Sequence, residues 1–423
     1  NLTTNFVLGN DIDASTTAGW NGGAGFNPVG FASSDASGSY KGVFDGLYHT
    51  ITGLTINRPT EDYVGLFAGV GNTVRNLGLI DNSITGSYAV GGLAGAANSA
   101  AISNVFATGD VTGNDQYAGG LIGGGYFTTI EKSYATESVT GVQGVGGLMG
   151  YGFGSTISDS YATGDISGTS DRIGGLVGDG FFATIERTYA TGKVTGTGSN
   201  VGGLVGYAGS ATITDSYWDT QISGLSTGAG SYAGTGVSGL TTAQLAGGLP
   251  TGFDAAAWAN GDNQTTPYLT SFGWAPVGGH VILGSNSSAT PTYFDVVTNV
   301  DQLQAMDGKL AGNYVLGNDI DASATSIWNG GAGFNPIGSN ANQFTGVFDG
   351  LGHSISSLTV NRPGTYYVGL FGYSSGTLRD VGLLNSSISG QGLAGALVGR
   401  SDGTVEYDYA IGGSVTVAQH GAG

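Results

Sequence analysis

A phrase of 27 or 28 residues repeats five times in succession, and it narrows what this chain can fold into. The phrase reads V-G-G-L-x-G, then T-I-x-x-S-Y-A-T-G, then x-V-T-G, and Val145 to Gly168 carries its cleanest copy. Gly-Leu pairs recur at Gly92-Leu93, Gly120-Leu121, Gly147-Leu148, Gly175-Leu176 and Gly203-Leu204. A fixed period of this size marks a solenoid, whose units bury their apolar faces only against their neighbours. The phrases between the glycines are short and rich in Val, Ile, Thr and Tyr, which favours strands over helices. Three such strands per repeat predict an all-β fold, a right-handed parallel β-helix (a β-solenoid) with rungs of about 28 residues stacked ~4.8 Å apart.

Three inward ladders follow from the apolar constancy. They are Leu93, Leu121, Leu148, Leu176 and Leu204; Ile102, Ile130, Ile157, Ile185 and Ile213; and Val111, Val139, Ile166, Val194 and Ile222. Paired glycine at every rung admits either positive φ or close approach of backbones. Tight corners are the plain expectation, and a flat face on which another chain packs is the alternative.

The opening of the chain returns later. Asn5 to Ser15 reappears at Asn313 to Ser323, and Trp20 to Pro28 returns intact at Trp328 to Pro336. The expected organisation is a first solenoid over residues 1–224, with regular rungs at 88–224. An irregular capping segment and linker follow at 225–292, the linker itself being 284–292. Residues 293–423 are expected to hold the start of a second, homologous module. Short helical turns are expected near the module boundaries, at Thr241–Ala246, at Asp254–Trp258 and at Val300–Met306, the last capped by Thr298 or Asn299. The chain starts without Met and stops within a repeat, which reads as a stretch of a longer tandem protein.

Composition removes several classes of function. With 11 basic and 30 acidic residues the formal net charge is −19, which argues against binding nucleic acid or anionic membrane surfaces. No cysteine is present, so there are no disulfides, thiolate metal sites or cysteine nucleophiles. No apolar run is long enough to span a bilayer.

With these repeats the sequence resembles the GLUG-motif repeats of filamentous-haemagglutinin-like bacterial adhesins and exoproteins. The Gly-Leu-hydrophobic-Gly signature stands at 92–95, 120–123, 147–150, 175–178, 203–206 and 369–372. The D-I-D-A-S, F-D-G-L-x-H and N-R-P phrases that precede the repeats, and the S-Y-W-D-T exit at Ser216 to Thr220, are similar too. Gly65 to Gly69 and Ala396 to Gly399 depart from the motif, which predicts distorted first rungs. The resemblance implies secretion, adhesion or a surface-fibre role, and brings no catalytic residues.

Candidate chemistry is sparse. Asp11 and Asp13 recur as Asp319 and Asp321, and closely spaced carboxylates can ligate calcium. Their spacing fits neither an EF-hand loop nor the nonapeptide repeat, and turns use Asp for backbone hydrogen bonds. A turn role is therefore expected, with calcium the alternative and no other metal or cofactor. Asp45 with His49, and Asp349 with His353, have the residue types of an acid/base pair but sit in a repeated turn. The series Phe106, Tyr134, Tyr161, Tyr189 and Tyr217 leaves two arrangements open. Facing inward the rings fill the core; facing outward they form a contact ladder for sugar rings or another protein.

The expected function is a non-enzymatic, secreted or cell-surface bacterial adhesin or extracellular fibre, of the kind that builds biofilm. Its partners would be surface molecules or glycans of host or neighbouring cells, or copies of itself. A self-assembling extracellular filament or sheath subunit is the alternative. A β-helix polysaccharide-degrading enzyme ranks behind both, because a chain with 10% charged residues offers few converging carboxylates.

Overall fold

The computed structural model describes residues 2–30, 38–260, 266–272, 280–282 and 293–418. Almost every strand pairs in parallel with its counterpart one repeat away. The chain forms two compact units, and each is built as a parallel β-solenoid. The first holds Asn1–Leu245, Leu249–Trp258 and Leu269–Ser271, and the second holds Ala246–Gly248, Ala259–Tyr268 and Phe272–Gly423. The linker expected at 284–292 lies outside the described residues.

Each rung of the first unit contributes to three sheets. One, of seven strands, runs from Phe67–Val70 through Ala94–Asn98, Ile122–Tyr126, Met149–Phe153, Val177–Asp179 and Val205–Tyr207 to Ala229–Ser231. A five-stranded sheet holds the Val-Gly phrases, and a sixteen-stranded sheet holds the rest. The leucine ladder is in register: the amides of Leu121, Leu148 and Leu176 each donate to the carbonyl of the leucine one rung on, at 2.8–3.0 Å. Ile102, Ile130, Ile157, Ile185 and Ile213 align residue for residue. Each such buried side chain contributes about 1.5–3 kcal/mol.

The third ladder extends back to Ile56 and Ile84 and forward to Val194. Ile222 falls off it. Asp219 accepts hydrogen bonds from the amides of Gln221 and Ile222, so the chain turns there and Ile222 is only half-buried.

Corners and glycines divide the work differently from expectation. The corners after the isoleucine ladder are made by Asn76, Asn104, Lys132, Asp159, Arg187 and Asp215, all with φ between 44° and 52°. Asn and Asp tolerate this left-handed region best, and for the others it costs ~1–2 kcal/mol each. The motif glycines have ordinary φ and serve close approach: a Cβ on Gly147 would lie 2.3 Å from Gly175 O, and one on Gly175 would lie 2.2 Å from Gly203 O. Beyond some of these corners a buried hydroxyl of the next rung accepts the backbone amide. The amide of Val105 donates to Ser133 Oγ and that of Ser133 to Ser160 Oγ, both at 3.1 Å.

The departures from the motif do not distort their rungs. The Leu66 and Phe67 amides bond to Gly92 and Leu93, and those of Leu370 and Phe371 to Ala396 and Leu397. Nor is the stretch after 224 wholly irregular. Ala229–Ser231 and Val237–Leu240 stack on Val205–Tyr207 and Ser216–Asp219, so the solenoid continues with a shortened turn. Helix α1, Thr242–Ala246, then opens on a capping box: Gln244 N donates to Thr241 Oγ1 while Thr241 N donates to Gln244 Oε1. Asp254–Trp258 forms an Asp-capped turn rather than a helix.

In the second unit, helix α2, Val300–Ala305, is capped by Asn299, whose side chain accepts from Gln302 N at 2.9 Å. The strand before it, Tyr293–Val297, pairs with Tyr314–Leu316. Together they bury the first repeated rung, leaving Tyr314, Val315 and Ile320 3%, 0% and 3% exposed. Their counterparts in the first unit, Phe6, Val7 and Ile12, are 47%, 63% and 41% exposed.

Candidate functional site

The four aspartates considered for calcium brace turns between rungs. Asp11 Oδ1 accepts from Thr50 N at 2.8 Å and contacts His49 Nδ1 at 3.2 Å. Asp319 Oδ1 accepts from Ser354 N at 2.7 Å, with His353 Nδ1 at 3.6 Å. Asp13 and Asp321 each accept from the amide two residues on, Ser15 and Ser323. Those local bonds hold both carboxyls below their ordinary pKa. Among the described residues no three His, Cys, Asp or Glu side chains converge. Asp45 and His49 do not pair with each other. Asp45 engages Arg75 Nε at 2.7 Å and Asn76, while Asp349 engages Arg379 Nε at 2.8 Å.

The contact ladder lies on the outside of the winding yet is buried. Ala107, Ala135, Ala162 and Ala190 join the central core, and the neighbouring rings project the other way. Phe106, Tyr134, Tyr161 and Tyr189 stack at centroid distances of 4.8–5.1 Å with planes within 8°. All five members are at most 8% exposed. Part of the cover is a strap of the same unit, Leu249–Trp258. Trp258 lies 5.9 Å from both Tyr161 and Tyr189, and Phe253 lies 5.8 Å from Tyr217. Tyr217 Oη donates to Thr251 O at 2.9 Å.

A second set of aromatics is solvent-accessible. On the seven-stranded sheet and its flank, Tyr63 meets Tyr88 at 5.5 Å, Tyr88 meets Tyr117 at 5.3 Å, and Tyr117 stacks on Tyr151 at 4.8 Å. Tyr151 then meets Tyr126 at 5.4 Å, and Tyr126 meets Phe153 at 6.2 Å. Beyond Phe153 the contacts continue through Phe181 to Tyr207, over which Arg172 stacks at 5.1 Å. Tyr63, Tyr117, Phe127 and Phe182 all have φ between 51° and 68°, a conformation that bulky side chains rarely adopt and that strained functional positions favour.

Tyr63, Tyr88, Tyr117, Tyr126, Phe127 and Tyr151 line a cleft of about 450 Å³. Its floor is small, with Ala89, Ala96 and Gly124, and Asn98 and Ser99 supply polar groups. Partial burial, reinforced by the neighbouring phenols, pushes the Tyr151 hydroxyl up to about 12 and raises Tyr88 further, so both stay protonated. Arg172, at the far end, is neutralised by its ion pair with the buried Asp179. In the second unit Tyr367 takes the place of Tyr63, touching Tyr366 at 5.1 Å and Tyr373 at 5.5 Å. Sequence reading passed over this strip because its rings change offset from rung to rung. The signal was an aromatic soon after four of the Gly-Leu-x-Gly copies: Tyr126-Phe127, Tyr151 and Phe153, Phe181-Phe182, and Tyr207.

The fold and its repeats thus define a GLUG-repeat parallel β-solenoid. The GLUG motif itself is matched at residues 86–112 and 141–167, so the chain carries GLUG repeats. It is similar to halomucin of Haloquadratum walsbyi, 40% identical over 134 residues, which is 30% of this chain and 1% of halomucin. It is also similar to a candidate Gly-rich membrane protein of Evansella cellulosilytica, 32% identical over 128 residues, covering 29% of this chain and 15% of that protein. The chain therefore spans only a small part of these relatives. A crystal structure of a candidate immunoglobulin A1 protease from Bacteroides ovatus shares the fold. It has a TM-score of 0.50 and 20% identity, and the match covers 63% of this chain and 86% of that one.

Proposed function

We propose that the chain is part of an extracellular or cell-surface bacterial or archaeal repeat protein that works by attachment, not by catalysis. The observation that carries this reading is the exposed aromatic strip. It crosses several rungs, with successive rings in contact. Exposed apolar strips rimmed by polar residues mark interaction surfaces. Similarity to a mucin-named protein and to a membrane protein supports an extracellular setting, as does the acidic, cysteine-free composition. No helix among the described residues is long and apolar enough to cross a membrane.

Microspheres coated with the full chain, flowed over biofilm-forming cells, test this. Retention well above that of albumin-coated microspheres is expected, together with its loss in the Tyr126→Ala/Phe127→Ala variant. Retention no better than albumin would refute the attachment reading.

A further inference from the structure

The occupant of the aromatic cleft can be narrowed from the groups around it. A peptide adding as a β-strand needs an open sheet edge. The strands beneath the cleft offer none: Ile122–Tyr126 is hydrogen-bonded to Ala94–Asn98 on one side and to Met149–Phe153 on the other. An anionic polymer needs unpaired Lys or Arg. No basic residue lines the cleft, and Asp62 lies beside its rim, accepting from Tyr88 N at 3.3 Å.

What remains is a set of tilted and stacked ring faces over a floor of alanine and glycine. Around them stand hydroxyl and amide groups that both donate and accept without carrying charge. That is the complement of a sugar ring, which offers apolar C–H faces and a rim of neutral hydroxyls. The volume of about 450 Å³ suits a small number of such rings. The strip continues past the cleft toward Tyr207, so the matching ligand is a chain of sugars rather than a single one.

We infer that the cleft bounded by Tyr63, Tyr88, Tyr117, Tyr126, Phe127 and Tyr151 binds a neutral polysaccharide lying across the rungs. This rests on the attachment reading above and gives it a ligand class. Stacking supplies the affinity, and Asn98, Ser99 and the tyrosine hydroxyls orient the sugar hydroxyls.

Affinity electrophoresis of the full chain tests this, in native gels containing laminarin, mannan, dextran or hydroxyethylcellulose, with alginate and hyaluronan as anionic counterparts. At least one neutral polymer is expected to retard the protein, and no anionic one. Tyr126→Ala/Phe127→Ala changes two exposed rings, 43% and 62% accessible, and leaves the core intact. It should weaken binding about tenfold or more, with an unchanged melting curve. Tyr117→Phe, which keeps the ring, should bind nearly as the parent does. The inference is overturned if no neutral polymer retards the chain, if only anionic ones do, or if the double variant is retarded as strongly as the parent. Microspheres that still adhere through the strip, with no polysaccharide bound, would leave attachment standing and point to a protein ligand instead.

Discussion

The indole of Trp258 donates its Nε1 hydrogen to Asp159 Oδ1 at 3.2 Å, reaching a carboxylate ninety-nine residues earlier in the chain. The same carboxylate grips Arg187 through both oxygens, at 2.9 and 2.8 Å. Asp159 thus ties a corner of one rung to the corner of the next and to the strap that covers the tyrosine stack.

The strap should be a stability element for the regular rungs. Trp258→Phe keeps most of the packing and loses the hydrogen bond, and is expected to cost about 1 kcal/mol. Trp258→Ala uncovers Tyr161 and Tyr189 and should cost about 3–5 kcal/mol. Denaturant unfolding of both variants measures this. Equal, negligible losses would show that the strap merely rests on the surface.

Glu137 stands where neighbouring repeats carry Gly109, Gly164 and Gly192. Its side chain is fully buried behind Gly92 and Gly120, where Oε1 accepts from Asn82 Nδ2 at 2.6 Å and Oε2 has no partner. Burial raises its pKa well above the ordinary 4.5. Below that value the carboxyl is protonated both folded and unfolded, and the contribution to stability is complete. As pH rises beyond it, the unfolded chain ionises first, so stability falls until the folded pKa is passed. Glu137→Gln should therefore match the parent below about pH 4 and exceed it by about 1–3 kcal/mol near pH 8. Melting curves across that range check it; a difference independent of pH would contradict the burial of an ionisable group.

The two modules show what a covered first rung gains. Placing a second copy of residues 293–312 ahead of Asn5 should bury Phe6, Val7 and Ile12 as Tyr314, Val315 and Ile320 are buried. Stability of the first rungs should rise by about 1.5–3 kcal/mol for each side chain covered. Amide hydrogen exchange at residues 6–13 and 44–52 should slow in step, and unchanged exchange would mean that the strand–helix cap does not transfer between modules.

The solenoid could be read from the chain because its core is periodic: Leu148 and Ile157 each have a like residue one rung on, and burial follows from repetition. The role of the motif glycines could not. Whether Gly147 turns a corner or lets a carbonyl approach depends on φ, and its φ is set by the rungs on either side. Ile222 was placed by periodicity, but Asp219 ended the strand first. The covering of the tyrosine stack was out of reach because Phe253 and Trp258 lie outside any repeat. The exposed strip was missed for the opposite reason. Its rings are tied loosely to the period, since the outer surface has no packing partner to hold the offset.

Everything on the surface depends on the register beneath it. The absence of cysteine allows a direct test with thiols placed at will. Thr156, Thr184 and Thr212 pair in series on adjacent strands, beside the buried isoleucine ladder. Dibromobimane fluoresces strongly when it bridges two nearby thiols. The Thr184→Cys/Thr212→Cys chain should become brightly fluorescent as a monomer, and Thr156→Cys/Thr212→Cys, with a rung between, should stay dark. Equal fluorescence from the two, or none from the first, would contradict the stacked register on which this account of the protein stands.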